Sequence, residues 1–333
     1  MVGLLLSIFF IVSLTACGDQ SQEDVRKALD EKMEDLTSYK AEAKMTLTTG
    51  SEPQVYNVEI WYQQPSYYRV NLKNAQKDQN QMILRNDEGV FVLTPALNKS
   101  FRFQSDWPKN SSQAYLYESL VKDILNDSSA VFKKTKNHYV FETKTNYQNS
   151  KMLPKQEITL NKKDLSPAVV KVMDTDMNPL LTVEFSKVEF NPKFDKDAFD
   201  TAKNMTMAQL DVPTMAEGND GVFEVMYPLD LPAGVEPKEE KEIATEDGKR
   251  IILTYGGEKS FTLIQEKARV LPATSTAMFV EGEPIDLGFA IGALTENSLS
   301  WSYKGVDFMI ASNDLTSEEM MMIARSVQGT SVK

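Results

Sequence analysis

The chain of 333 residues contains one cysteine, Cys17, and one histidine, His138. A lone cysteine allows no disulfide within the chain, so stability must come from a sizeable core. A lone histidine removes whole classes of chemistry: a metal site with several imidazole ligands, an HExxH zincin and a Cys–His nucleophile all need more, and no cofactor is expected. Positive charge is scarce as well. Lys and Arg total 36 against 48 Asp and Glu, and the resulting net charge of −12 argues against nucleic acid as a partner and against an electrostatic hold on anionic lipid, since both need clustered cations. There is no low-complexity block, and beyond the first residues no apolar run is long enough to span a bilayer. What is present is an ordinary globular composition, 41% hydrophobic and 25% charged, in a chain long enough for two domains of roughly 100–200 residues.

The N-terminus is the exception to this plainness. Val2 to Val12 is apolar apart from Ser7, too short for a permanent span but suited to the hydrophobic region of a signal peptide. Leu14-Thr15-Ala16-Cys17 follows, an order that resembles a bacterial lipobox. The resemblance implies cleavage after residue 16 and a diacylglyceryl thioether on Cys17. Lys and Arg are missing before the apolar run, as a start codon assigned too far downstream would produce. With no help from net charge, attachment to the membrane is expected to rest on the lipid, where two chains hold at about 0.8 kcal/mol per buried methylene and one holds only marginally. The mature chain is therefore expected on the outer, extracytoplasmic face of the cell membrane.

Beyond the tether, Val25, Ala28, Leu29, Met33, Leu36 and Tyr39 make a helical stripe, with Ser21 as N-cap. Period-two alternation then predicts strands: Tyr56, Val58, Ile60 and Tyr62 on one face, then Tyr68, Val70 and Leu72 after a turn at Gln64-Pro65-Ser66. A hairpin around Asp87-Glu88-Gly89 and a turn at Pro95 to Asn98 continue an antiparallel meander. Tyr117, Leu120, Val121 and Ile124 read as a second helix, with Ser111 and Ser112 as candidate caps. Strands resume at 139–145, 156–160, 168–173 and 180–190, and an amphiphilic segment at 197–210 closes this part. Residues 211–220, with Pro213, Gly218 and Asn219, read as a linker. The remainder, 221–333, is expected to be a small α+β domain: strands at 222–226, 250–255, 260–267, 299–303 and 306–310, an irregular stretch at 228–237, and a final helix with a Thr316/Glu319 capping box and a Leu315–Met320 staple.

The run Trp61 to Val70, the strand Gln81 to Leu84, the segment Asp87 to Pro95 and the closing stretch Lys187 to Leu210, with Phe190, Asp195 and Phe199, resemble the bacterial lipoprotein-carrier family over residues 21–210. That family includes the lipoprotein-sorting chaperone and a sensor that restrains an anti-sigma factor. The resemblance implies an α+β fold in which a half-open antiparallel β-barrel has its concave face covered by helices. More narrowly, the lipobox, the strands from Met82 to Phe103 and the tail look like a sporulation lipoprotein of Bacillus-type bacteria. In the carrier an arginine before the proline of this strand pair holds the lid closed; here that position is Gln64, and Arg69 is no substitute. An anchored protein also cannot diffuse as a shuttle. The expectation is a tethered, non-enzymatic binding module acting in sporulation.

The candidate cavity lining is Tyr56, Val58, Ile60, Tyr62, Tyr68, Val70 and Leu72, facing an acyl chain, a lipoprotein or an apolar peptide. A hollow half-barrel and one filled by its helices satisfy this pattern equally. Two alternatives stand beside it: an envelope sensor that binds a membrane protein, and a cell-wall hydrolase using two carboxylates. Other motifs fail on their spacing. Asp174-Thr175-Asp176-Met177-Asn178 begins like a calcium loop, but Pro179 and Phe185 replace the required Gly and Glu, which leaves a turn. Ser119 and Lys122 lack the partner motifs of a penicillin-binding protein. Met320, Met321 and Met322 point in different directions around their helix.

Overall fold

A computed structural model of the chain describes residues 20–48, 53–75, 80–109, 112–147, 150–211, 223–245, 248–271 and 277–328. Cys17, the segment before it and all of the expected linker except Asp211 lie outside these residues.

Helix α1 (Gln22–Asp35) starts where the sequence places it: the Ser21 hydroxyl accepts from the Asp24 amide at 3.2 Å, and the Asp24 carboxylate accepts from the Ser21 amide at 2.9 Å. Val25 and Leu29 form its buried stripe. Tyr39, assigned above to the same stripe, belongs instead to β1 (Ser38–Leu47). The reason is pairing. Strand β1 lies between β2 (Gln54–Gln63) and β11 (Pro179–Phe190) and bonds to both, and this outweighs the helical bias of its Ala, Glu and Lys residues.

From β1 the chain runs through β2, β3 (Tyr67–Asn74), β4 (Asn80–Asn86), β5 (Gly89–Thr94) and β6 (Lys99–Phe103), each antiparallel to the last. After α2 (Tyr117–Asn126) a second meander follows: β7 (Val131–Lys134), β8 (His138–Lys144), β9 (Lys155–Asn161), β10 (Pro167–Met173) and β11. The β1–β11 pairing welds the two meanders into one sheet, which reaches twelve strands when β16 (Met278–Val280) joins β6 in parallel. The sheet does not close into a barrel; β7 and β16 are its edges.

Its inner face carries rows such as Ala41, Ile60, Val70, Ile83 and Val92, paired strand to strand and packed with Val25 and Leu29 of α1 and with Leu120, Val121 and Ile124 of α2. The expectation that the helices cover the concave face is met by two of them only. Helix α3 (Thr201–Asp211) lies on the opposite face, over Met82, Leu84, Phe91 and Leu93 through Met205 and Ala208. These strands are apolar on both sides, so they need a cover on both.

The C-terminal part forms a second antiparallel sheet of seven strands: β13 (Val235–Thr245), β14 (Gly248–Gly257), β15 (Phe261–Lys267), β20 (Val306–Ala311), β19 (Ser298–Tyr303), β18 (Ile291–Leu294) and β17 (Glu283–Asp286). Helix α4 (Ser317–Ser326) has the expected Thr316/Glu319 capping box, and Leu315 and Met320 are both buried. Phe223 to Met226 is not a strand; the two-residue β12 (Tyr227–Pro228) follows it and pairs with β21 (Val327–Gln328) after α4. The Gln265 side chain takes the place of a strand partner, accepting from the Met226 amide at 2.9 Å and donating to its carbonyl at 2.7 Å. Strand β13 occupies the end of the stretch read as irregular and runs to Thr245.

Candidate functional site

All seven residues of the candidate lining are buried members of the central core. Tyr39 meets Tyr62 at 5.4 Å with the rings tilted by 35°, Tyr62 meets Tyr68 at 5.0 Å, and Tyr68 meets Trp107 edge-on at 5.6 Å. Val58, Ile60 and Val70 lie beneath α1 and α2 in the same cluster. Tyr56 and Leu72 alone of the seven border a cavity among those described, a void of about 40 Å³ shared with Phe289 and Tyr303. That is room for a water molecule and little more. Gln64, at the position of the carrier's arginine, donates to the Leu36 carbonyl at 2.7 Å. Arg69 points to the outer face, where it pairs with Glu59 at 2.7 Å, lies over Trp61 at 4.2 Å and donates to Asn204 of α3 at 2.7 Å. Asp174 holds its own turn by accepting from the Asp176 and Asn178 amides, as a solvated turn does.

Space of another order opens where the two sheets meet. A cavity of about 290 Å³ is lined from the first sheet by Leu47, Leu180 and Leu181, from the approach to α2 by Ser112 to Tyr115, and by Tyr147 and Leu153. The other wall comes from Leu229, Ile285 to Gly288, Met322 and Arg325. The chain approaches closely here: Gly288 has φ +87°, and a Cβ on it would lie 2.6 Å from Leu47 Cδ2. Glycine meets both demands, the left-handed backbone and the lack of bulk.

The lining is mostly aliphatic, with a few convergent polar groups. The Asp286 carboxylate accepts from the Gly288 amide at 2.6 Å and bonds to the Tyr115 hydroxyl, while the Arg325 guanidinium donates to the Asp286 carbonyl at 3.0 Å. Burial drives the Asp286 carboxyl above its ordinary pKa, and burial drives Arg325 below its own, with each opposing the shift of the other. The Tyr147 hydroxyl is sealed from solvent without a hydrogen-bond partner. An apolar hollow with a carboxylate and a guanidinium on its wall suits an aliphatic guest that carries one polar group.

Sequence reasoning singled out none of Tyr115, Tyr147, Asp286 and Arg325. They come together only through the meeting of the two sheets, at sequence separations that periodicity does not report. One signal was available: Arg325 lies four residues beyond Met321, so a charge falls in line with a buried apolar position of α4. A second cavity of about 390 Å³, beside β16, mixes Lys99, Lys267, Arg269, Glu266 and Asp307 with Trp301 and Phe308, and lacks the aliphatic character of the first.

A half-open sheet with a second sheet set against it, enclosing an apolar hollow between them, is the architecture of this chain. The chain belongs to the YdcC-like sporulation protein family, whose model matches residues 1–199. It is 62% identical over 332 residues to sporulation protein YdcC of Bacillus subtilis (strain 168), covering 100% of this chain and 98% of that protein. Among solved structures, the Pseudomonas aeruginosa MucA/MucB complex matches at TM-score 0.34 and 11% identity, over 92% of this chain and 98% of that one. The complex of the CwlD amidase from Clostridioides difficile with the GerS lipoprotein matches at TM-score 0.31 and 18% identity, over 53% and 98%. A putative outer membrane lipoprotein-sorting protein domain from Vibrio parahaemolyticus matches at TM-score 0.31 and 16% identity, over 56% and 97%.

Proposed function

We propose that this sporulation-family protein is a non-enzymatic binding module, fastened to the outer face of the cell membrane through a lipid on Cys17, and that its ligand enters the hollow between the two sheets. The observation that carries this reading is the 290 Å³ aliphatic cavity with Asp286 and Arg325 on its wall. Its volume lies at the small end of ligand sites, which span roughly 300–1,000 Å³. A segment of an acyl chain or one or two apolar side chains of a partner protein would fill it. The half-barrel interior, packed by its own tyrosines and helices, serves as the frame of the site.

The full chain, purified from membranes and analysed by native mass spectrometry, is expected to carry an apolar mass that Leu180→Trp, which fills the hollow, removes with a thermal midpoint close to that of the wild type. Unchanged retention in the variant would overturn the site. Metabolic labelling with palmitate is expected to mark the protein, and Cys17→Ser to lose both the label and the membrane. A blank wild-type protein would remove the anchor from the reading.

A further inference from the structure

Among the described residues that line the hollow, Arg325 is the one cation, and most of its hydrogen-bonding capacity is unused. A guanidinium has five N–H donors and stays charged in proteins. Among the described residues this one makes a single hydrogen bond, to the Asp286 main-chain carbonyl at 3.0 Å, and pairs with no carboxylate. A charge held in an apolar wall is costly until a counter-charge with hydrogen-bond acceptors meets it. The last turn of α4 puts it there: Met322, three residues before Arg325 on the same side of the helix, lines the same hollow.

The other polar side chains of the wall are engaged. Asp286 already accepts from the Gly288 amide at 2.6 Å and bonds to the Tyr115 hydroxyl, and burial disfavours its charged form. Ser112 donates to Asp123 at 2.9 Å, Ser326 donates to the Ile323 carbonyl at 2.8 Å, and Gln113 accepts from the Tyr115 hydroxyl at 3.2 Å. Asp230, the second acid of the lining, is exposed, where water and salt screen it. The capacity left over is therefore for donation, and a carboxylate matches it, since its two oxygens fit the guanidinium fork. Across the hollow, Leu47, Leu180 and Leu181 offer an aliphatic surface. At about 30 Å³ for a group the size of water, 290 Å³ holds roughly ten heavy atoms. A peptide would bring amides to a wall with few groups left to bond them, whereas an aliphatic stem brings none.

We infer that the hollow takes a fatty carboxylate, its head bound by Arg325 and the first carbons of its stem laid against the leucines of the first sheet. The inference rests on the hollow of the preceding section being a ligand site, and the experiment separates the two. The full chain is titrated with octanoate, octanol, octylamine and N-acetyl-leucylleucine, and bound ligand is read by native mass spectrometry. Octanoate is expected to bind roughly tenfold or more tightly than octanol, the difference that a charge-assisted hydrogen bond makes, with octylamine the weakest of the three. Arg325→Met, which keeps the apolar stem, should bring octanoate down to the level of octanol and leave octanol where it was. Arg325→Lys, which keeps the charge without the fork, should fall between. The comparison of ligands on the wild-type chain needs no variant, so it decides the matter even where Arg325→Met does not fold. Leu180→Trp should exclude octanoate and octanol alike. Equal binding of the two by the wild type, lost in Leu180→Trp, would overturn the carboxylate and leave the hollow standing. Tighter binding of N-acetyl-leucylleucine than of octanoate would overturn the fatty stem and assign the hollow to a peptide C-terminus. Binding of none of the four would overturn the hollow as a site and this inference with it.

Discussion

Glu118 sits among tyrosines inside the first sheet, its Oε2 accepting from the Tyr39 hydroxyl at 2.9 Å and its Oε1 sealed without a partner. Burial raises its pKa above the ordinary 4.5, against the pull of the Tyr68 and Tyr39 hydroxyls. A raised acid in the folded state stabilises fully below the unfolded value and loses that contribution as pH climbs through the folded one. Asp123 and Asp286, both raised by burial, act in the same direction. The chain should therefore have a higher thermal midpoint at about pH 5 than at about pH 8, and Glu118→Gln should narrow that gap while changing stability at the lower pH by about 1 kcal/mol or less. A gap of unchanged size in the variant would show that Glu118 is not its source. At the junction, Gly288→Ala forces a side chain into a left-handed backbone and against Leu47, at a cost of about 1–3 kcal/mol; a denaturant midpoint equal to that of the wild type would contradict this.

Among the elements, α2 is the wedge that fills the sheet, and Leu120 within it is fully buried. Leu120→Ala should cost about 2–5 kcal/mol, measured as a fall in denaturant midpoint with an unchanged slope. This helix was legible because Tyr117, Leu120, Val121 and Ile124 repeat at helical spacing, whereas its start was not: Leu116 is the N-cap and offers no side-chain bond, while Ser112 bonds instead to Asp123 at 2.9 Å. Strands β2 and β3 were legible for the same kind of reason, a period of two sustained over polar outer positions, whereas β4 and β5, apolar on both faces, were legible through the Asp87-Glu88-Gly89 turn between them. Strand β1 was not. Its Lys40, Glu42 and Lys44 alternate correctly with buried Tyr39, Ala41, Ala43 and Met45, but alanine is too weak a hydrophobic marker to override a composition that favours helix. Strand β13 was hidden differently: of its eleven residues only Val235 is buried, and an exposed edge laden with Glu and Lys leaves no alternation to read. The candidate lining shows where reading from sequence stops. Alternation placed all seven side chains on one buried face, but whether that face meets a guest or a helix depends on how far α1 and α2 descend into the sheet.

For the molecule as a whole, the decisive feature is that the C-terminal chain does not stand apart. It gives β16 to the first sheet, the Asn98 side chain donates to the Leu271 carbonyl at 2.9 Å, the Gln81 side chain accepts from the Ile291 amide at 2.8 Å, and Lys99 meets Asp307 at 2.6 Å. The ion pair is asymmetric: the Lys99 side chain is 7% exposed and that of Asp307 38%. Removing the lysine leaves a carboxylate with access to water and a bond from the Ser302 hydroxyl. Removing the carboxylate strips a buried ammonium of its counter-charge. Asp307→Ala should therefore cost more than Lys99→Met, about 1–3 kcal/mol, below the range for a fully enclosed pair because one partner is wet. The cost falls on the junction and on neither sheet's own core, so it should appear as lost cooperativity. Calorimetry of the wild-type chain is expected to give a single transition, and Asp307→Ala a broadened or split one with the seven-stranded sheet melting apart from the twelve-stranded one. Two well-separated transitions in the wild type would mean that the sheets fold independently, and the hollow between them would then lack the fixed walls that a binding site requires.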